Sequence, residues 1–430
     1  MSLNSGINLN VMQNLIKKVT ATSTATLLLG AALIATAAVA PVTTAFAQTK
    51  QSNSAKLAKP LKEANDDIKA KKYADAIAKL KDAEGIAGKT PYDQHLINDM
   101  LSFSYIKTQN FSEAAKTMEA ELDDGFTPQA DIPQKVRALA EINYQVKNYD
   151  KAIEFGNRAI KGGYAEEAIR TLVGQAYYLK GDWKGTLKFE EALADSQIKA
   201  GEAPKNETLQ LILSSCVKLN DAACETRALE RIVTYYPKPD YWYQLLYTLR
   251  QQTSGNDLNT LQTYRLMSEV DVLKSADDFT EMAQLALEAG SPGEAQRILE
   301  KGLAKNIFAD QRTKERNQRL LETAKKAAAT DRASLARQEK DAEAASTGQK
   351  NAAVGLAYLG YGEYDKAVEQ LQKGVSKGGV KDEAQARLLL GIAQLKGAHK
   401  EDAVKTFNSV KGDPALERLA KLWILHSKQA

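Results

Sequence analysis

Cysteine and histidine are nearly absent from this chain: two cysteines and three scattered histidines (His95, His399 and His426) among 430 residues. That excludes a disulfide scaffold and a structural zinc site, and it leaves no histidine cluster for a catalytic metal. A glycine-rich phosphate loop and a nucleophile triad are also missing. The adjacent acids Glu190-Glu191 and Asp277-Asp278 would point about 100° apart on a helix, so neither pair forms a carboxylate dyad by itself. An excess of one charge is lacking too, with 58 Lys+Arg against 54 Asp+Glu, so charge proposes neither a nucleic-acid nor an acidic-lipid partner. These absences predict no enzyme activity, no cofactor and no metal. What is present, 43% hydrophobic and 26% charged residues, is the composition of a folded soluble protein.

The N-terminal 47 residues read as a targeting segment. Lys17 and Lys18 are the only charges before Lys50, and they precede a short apolar run over 27–40 and the small-residue site Ala45-Phe46-Ala47. This order predicts a signal peptide cleaved after Ala47, followed by a short flexible start over 48–55. An uncleaved membrane anchor is the competing reading, but Ala and Thr dominate the run and Pro41 breaks it.

After that segment the chain returns repeatedly to one phrase. Lys72-Tyr73-Ala74-Asp75-Ala76-Ile77, Asn110-Phe111-Ser112-Glu113-Ala114-Ala115 and Asn148-Tyr149-Asp150-Lys151-Ala152-Ile153 place their central alanines 38 residues apart. Gly362-Glu363-Tyr364-Asp365-Lys366-Ala367-Val368 repeats it, and Ala403 follows Ala367 by 36. A polar or glycine corner ends one helix, an aromatic plugs the gap between two helices, and the alanine lets them approach closely. Twelve residues before the alanine another small residue recurs (Ser102, Ala140, Gly174, Gly355, Gly391), with Tyr105, Tyr177 and Tyr358 three further on. Self-similarity at this period predicts a solenoid. The pattern resembles the tetratricopeptide repeat (TPR), and the resemblance implies an all-α, right-handed superhelix of antiparallel helix pairs. Departures occur at Glu225, Asp67 and Asn143.

The spacing predicts a first solenoid over 56–305 and further repeats over 348–430, with the apolar stripe Leu416, Leu419, Leu422, Trp423 and Leu425 forming a capping helix. Between them, 306–347 is dense in charge and poor in large aliphatics, and it reads as either a degenerate repeat or a helical connector. Cys216 and Cys224 flank a hairpin corner, where an oxidising compartment allows a disulfide; two buried free thiols are the alternative, and a redox-active pair is a third that lacks the C-x-x-C spacing.

In TPR proteins the first helices line a concave groove, and projecting that onto this chain brings Phe103, Lys107, Tyr144, Gln145, Gln175 and Tyr178 to the inner wall. Aromatic anchors beside amides and a lysine suit an extended peptide. The segment 235–242 followed by 274–278 also resembles periplasmic TPR proteins of proteobacteria, some of which accompany TonB/ExbB/ExbD transport systems. The expectation is therefore an exported periplasmic scaffold or adaptor holding a protein or peptide partner in the cell envelope. The alternatives are an adaptor of polysaccharide export that binds a glycan or synthase, and an α/α-toroid glycosidase or lyase, against which an open-ended repeat argues.

Overall fold

The structure, a computed structural model, describes residues 53–429 except 165 and 254. The expected signal peptide lies outside the described residues. Among the described residues there are helices and no strands, and no helix is long and apolar enough to cross a membrane. The chain divides into two compact units, one up to Thr186 and one from Leu187.

The first unit contains α1 (Ala55–Lys69), α2 (Tyr73–Glu84), α3 (Pro91–Lys107), α4 (Phe111–Asp123), α5 (Ile132–Gln145), α6 (Tyr149–Lys161) and α7 (Glu167–Lys180), and ends in the first turn of α8 (Trp183–Lys199). The repeated phrase is a helix-ending corner. Lys71, Gln109, Lys147 and Gly181 all take positive φ, between 58° and 83°. The residue after each donates its backbone N–H five residues back, to the carbonyls of Asp67, Tyr105, Asn143 and Tyr177 at 2.8–3.1 Å. This bond closes the first helix and turns the chain into its antiparallel partner. Ala76, Ala114 and Ala152 are then fully buried where the two helices meet. First helices of neighbouring pairs also touch, α1 with α3 and α5 with α7, which puts them on one wall.

The second unit continues with α9 (Asn206–Lys218), α10 (Ala222–Tyr235), α11 (Pro239–Thr253), α12 (Asp257–Glu269), α13 (Ala276–Glu288), α14 (Pro292–Ala304), α15 (Gln311–Glu343), α16 (Gln349–Tyr361), α17 (Tyr364–Lys377), α18 (Glu383–Lys396), α19 (Lys400–Asn408) and α20 (Pro414–Gln429). Cys216 and Cys224 are joined across the α9–α10 corner, with Cα atoms 5.4 Å apart. The phrase around Tyr364 builds the same corner, with Gly362 at φ 80° and Glu363 N–H bonded to the Tyr358 carbonyl at 3.0 Å. Small residues again permit close crossing: a Cβ on Gly391 would lie 2.5 Å from the Phe407 ring, and one on Gly355 2.6 Å from Leu371 Cγ.

Two features of this unit go beyond a plain stack of pairs. Residues 306–347 are occupied mainly by α15, a single helix of 33 residues, about 50 Å long, without a hairpin partner of its own. Asn317, Leu321, Ala324, Ala328, Leu335 and Ala342 form its buried stripe at spacings of three, four and seven. Its first half bonds α13, through Asn317 to Thr280 at 2.9 Å. Its second half accepts from Tyr361 of α16 at the Ala328 carbonyl, 3.0 Å, and from Lys377 of α17 at the Ala342 carbonyl, 2.7 Å. The charged segment thus packs within the second unit, which runs from Leu187.

The other feature is α20. It covers α18 and α19, as a cap would, and it also packs on α12. Asn259 bonds Asp413 at 3.1 Å, Gln429 donates to the Val233 carbonyl at 2.9 Å, and Arg418 pairs with Glu230 at 3.2 Å. The end of the chain therefore returns to α10 and α12, and the second unit closes on itself.

Candidate functional site

The six residues expected on the first-helix wall do lie on successive first helices: Phe103 and Lys107 on α3, Tyr144 and Gln145 on α5, Gln175 and Tyr178 on α7. Their environments differ. Tyr144 is half-buried, donates its hydroxyl to Gln175 Oε1 at 3.0 Å, and meets Tyr149 edge-on with centroids 6.0 Å apart. Burial pushes its phenol up to about 12, so it stays a donor across the physiological range. Tyr178 meets Trp183 in the same way at 5.0 Å. The two equivalent tyrosines each brace the aromatic plug of their own hairpin, and Tyr144 with Gln175 also ties α5 to α7.

Phe103 and Lys107 are different. Phe103 is 38% exposed, an unusual state for so large an apolar side chain in this protein, and Tyr73 meets its ring edge-on at 6.1 Å. The Lys107 ammonium sits 5.2 Å from the Phe103 centroid. An exposed aromatic under a cation, with the exposed Gln145 on the neighbouring first helix, is the part of the wall with contact surface to spare.

A second constellation, absent from the sequence expectation, lies in the second unit. A cavity of about 180 Å³ is lined by the cations Arg265, Arg297, Lys301 and Lys396 and the acids Glu269 and Glu294. Arg265 holds Glu294 through two parallel bonds, Nε to Oε1 at 2.8 Å and Nη2 to Oε2 at 2.6 Å. Burial opposes charge on Glu294, but the Arg265 guanidinium keeps its carboxyl below the usual range. Glu269 is likewise partly buried, yet His426 and the Lys396 ammonium, which donates to it, hold it down at about 2. Lys301 donates to the Ser268 carbonyl at 3.3 Å and pairs with Asp271 at 3.1 Å, while Arg297 donates to the Leu359 carbonyl at 3.1 Å. No local motif marks these residues. They come from α12, α14 and α18, and only ring closure assembles them.

Elsewhere, Glu190 is buried on α8, and burial raises its carboxyl to about 7 against a weaker opposing bond from Thr208. A raised acid favours the fold below its unfolded pKa of about 4.3 and loses that contribution as pH climbs to 7. Glu190→Gln is therefore expected to match wild type at pH 4 and to exceed it by up to ~3 kcal/mol at pH 8, measured as paired urea melts at each pH.

No family model matches the chain, and no curated protein matches it. Solved structures do. A TPR protein from Parabacteroides merdae is 13% identical, with a TM-score of 0.28 over 70% of this chain and 99% of that one. The TPR domain of P58(IPK) is 11% identical, with a TM-score of 0.23 over 87% and 99%. The Naa15/Naa10 assembly bound to HypK-THB is 16% identical, with a TM-score of 0.28 over 86% of this chain, which spans 66% of that one. At these identities and scores they say nothing of partner or activity. The chain's own stacked, antiparallel helix pairs, with their repeated corners and buried alanines, make it a TPR-like α-solenoid.

Proposed function

We propose that this chain is a non-catalytic scaffold that holds an extended segment of a protein partner on the first-helix wall of its first unit, and that it works in the periplasm as part of an envelope assembly such as a TonB/ExbB/ExbD-type system. The exposed Phe103–Lys107 pair carries the reading, because an apolar ring left at the surface beside a cation is what a peptide with an apolar and an acidic or carbonyl group would cover. The Cys216–Cys224 bridge supports an oxidising compartment. Both acids of the second unit's cavity sit in ion pairs that favour their charged forms.

Phe103→Ala with Lys107→Ala is expected to stay folded with a modest drop in melting point, since the Phe103 ring also meets Tyr73, and to lose partner recovery in crosslinked capture from an envelope extract. A ten- to thirtyfold loss corresponds to the ~1–2 kcal/mol of one aromatic anchor. Undiminished capture by that variant would sink the reading. Tyr144→Ala is expected to lower the melting point first, because its ring and hydroxyl hold two helices together.

A further inference from the structure

The outer side of α15 carries one sign of charge along most of its length. Five of the chain's fifteen arginines lie in this helix. At about 100° per residue, Arg312, Arg316, Arg319, Lys326 and Arg337 fall within one arc of about 80°, on the side away from the buried stripe. All five are exposed, and they run about 37 Å along the axis. Thr323, Thr330 and Ser334 complete the line at steps of three and four, so the ridge bears neither an acid nor an apolar side chain. Acids of the same stretch stand off the line and are engaged there: Glu315 accepts from Gln311 at 2.8 Å, Glu322 pairs with Lys325 at 3.5 Å, and Asp331 accepts from Tyr361 at 2.7 Å. Among the described residues Arg312, Arg319, Lys326 and Arg337 form no ion pair, and Arg316 meets only Asp277, at 3.7 Å.

A helix side that is merely solvated interleaves its signs, because like charges one turn apart repel. The flanks of α15 do so, with Arg332 pairing Glu363 and Lys373 pairing Glu343. The ridge does not, and the chain's near-neutral total hides it. Four of its five cations are arginines, which fork onto phosphate or carboxylate oxygens. Without an apolar side chain the ridge lacks the core that a protein interface needs, and without an aromatic anywhere in 309–345 it has nothing for a nucleic-acid base to stack on. A bilayer of acidic lipid asks only for charge, and each cation brought within a Debye length of its surface adds to the attraction. Since the apolar stripe of α15 is already buried, the helix would lie on the headgroups and not in them. We infer that the outer ridge of α15 is a docking surface for a bilayer rich in acidic phospholipid, held by charge alone and released by salt. The ridge belongs to the second unit and the first-helix wall to the first, so either reading stands or falls without the other.

The test is sedimentation with vesicles, using the chain from Gln48, which keeps every described residue and omits the apolar run over 27–40 that would itself enter a bilayer. Vesicles of phosphatidylglycerol and phosphatidylcholine in equal parts are expected to carry the chain down at low salt and to release it at about 0.5 M, where the Debye length is roughly 4 Å. Phosphatidylcholine alone is expected to leave it in solution. Arg312→Gln with Arg319→Gln, Lys326→Gln and Arg337→Gln is expected to melt like wild type, having no ion pair to lose, and to bind about a hundredfold more weakly. Lys56→Gln with Lys59→Gln, Lys62→Gln and Lys69→Gln removes as much charge from exposed positions of α1, and is expected to keep most of the affinity. No binding at low salt, equal binding to phosphatidylcholine, or equal loss in the two variants would each overturn the inference. Binding of poly-glutamate with none of the vesicles would overturn it too, and would assign the ridge to an acidic protein partner.

Discussion

Arg265→Met is expected to destabilise the second unit by about 3–5 kcal/mol, the cost of leaving one partner of a buried ion pair behind. The Arg265 and Glu294 side chains are 5% and 10% exposed, and their forked contact is the main compensation for burying both charges. Once the guanidinium is gone, the Glu294 carboxyl must take up a proton or draw in water, and its folded pKa moves from below the usual range to above it. The sign of the pH response therefore reverses. In wild type this pair supports the fold above the unfolded pKa of about 4.3 and loses that support as pH falls; in the variant, stability is greatest at low pH and declines towards neutrality. Arg265→Met with Glu294→Leu is expected to recover most of the loss, because no lone charge remains. Urea melts followed by tryptophan emission, which reports Trp242 and Trp423 in this unit, read both variants. A single variant as stable as wild type at pH 8 would mean that Glu294 finds another cation, with Arg297 the nearest candidate by its effect on the carboxyl.

Trp423→Ala is expected to cost about 3–5 kcal/mol as well, through a cavity instead of a charge. The indole is fully buried and stacks on Phe407 with centroids 6.1 Å apart, and His426 meets it edge-on at 6.2 Å. Where the loss appears distinguishes two architectures. A helix that merely capped the last repeat would, when weakened, raise hydrogen exchange in α18 and α19 alone. A helix that closes a ring releases α12 too, because Asn259 and Glu269 lose partners supplied by the chain's end or by Lys396. Faster exchange in 257–269 of the variant is the expected result, and protection there equal to wild type would contradict closure.

The helical pairs were legible in the sequence because everything that makes them is local. A left-handed corner residue, an aromatic two positions on and an alanine three beyond that lie within six residues of each other, and the i to i−5 backbone bond that closes each corner needs no distant partner. The first helices followed from the same register, and the six residues expected on the wall lie on α3, α5 and α7. Their individual roles did not follow: Tyr144 and Tyr178 look alike in sequence to an exposed anchor such as Phe103, and only packing shows that their rings brace Tyr149 and Trp183 while Phe103 remains at the surface.

Tertiary structure alone decided the second unit. A charged run with a thin apolar stripe specifies a helix but not what the stripe meets, and α15 meets pairs on both sides of it. Ring closure rests on contacts such as Asn259 with Asp413, 154 residues apart, between residues that belong to no shared motif. The Arg265–Glu294 pair and Trp423 line one cavity for that reason only. Sequence periodicity encodes which face of each helix is apolar, because that repeats every 3.6 residues; the small rotation from one pair to the next, summed over six or seven helices, sets whether a stack stays open or returns to its start, and that sum has no local signature.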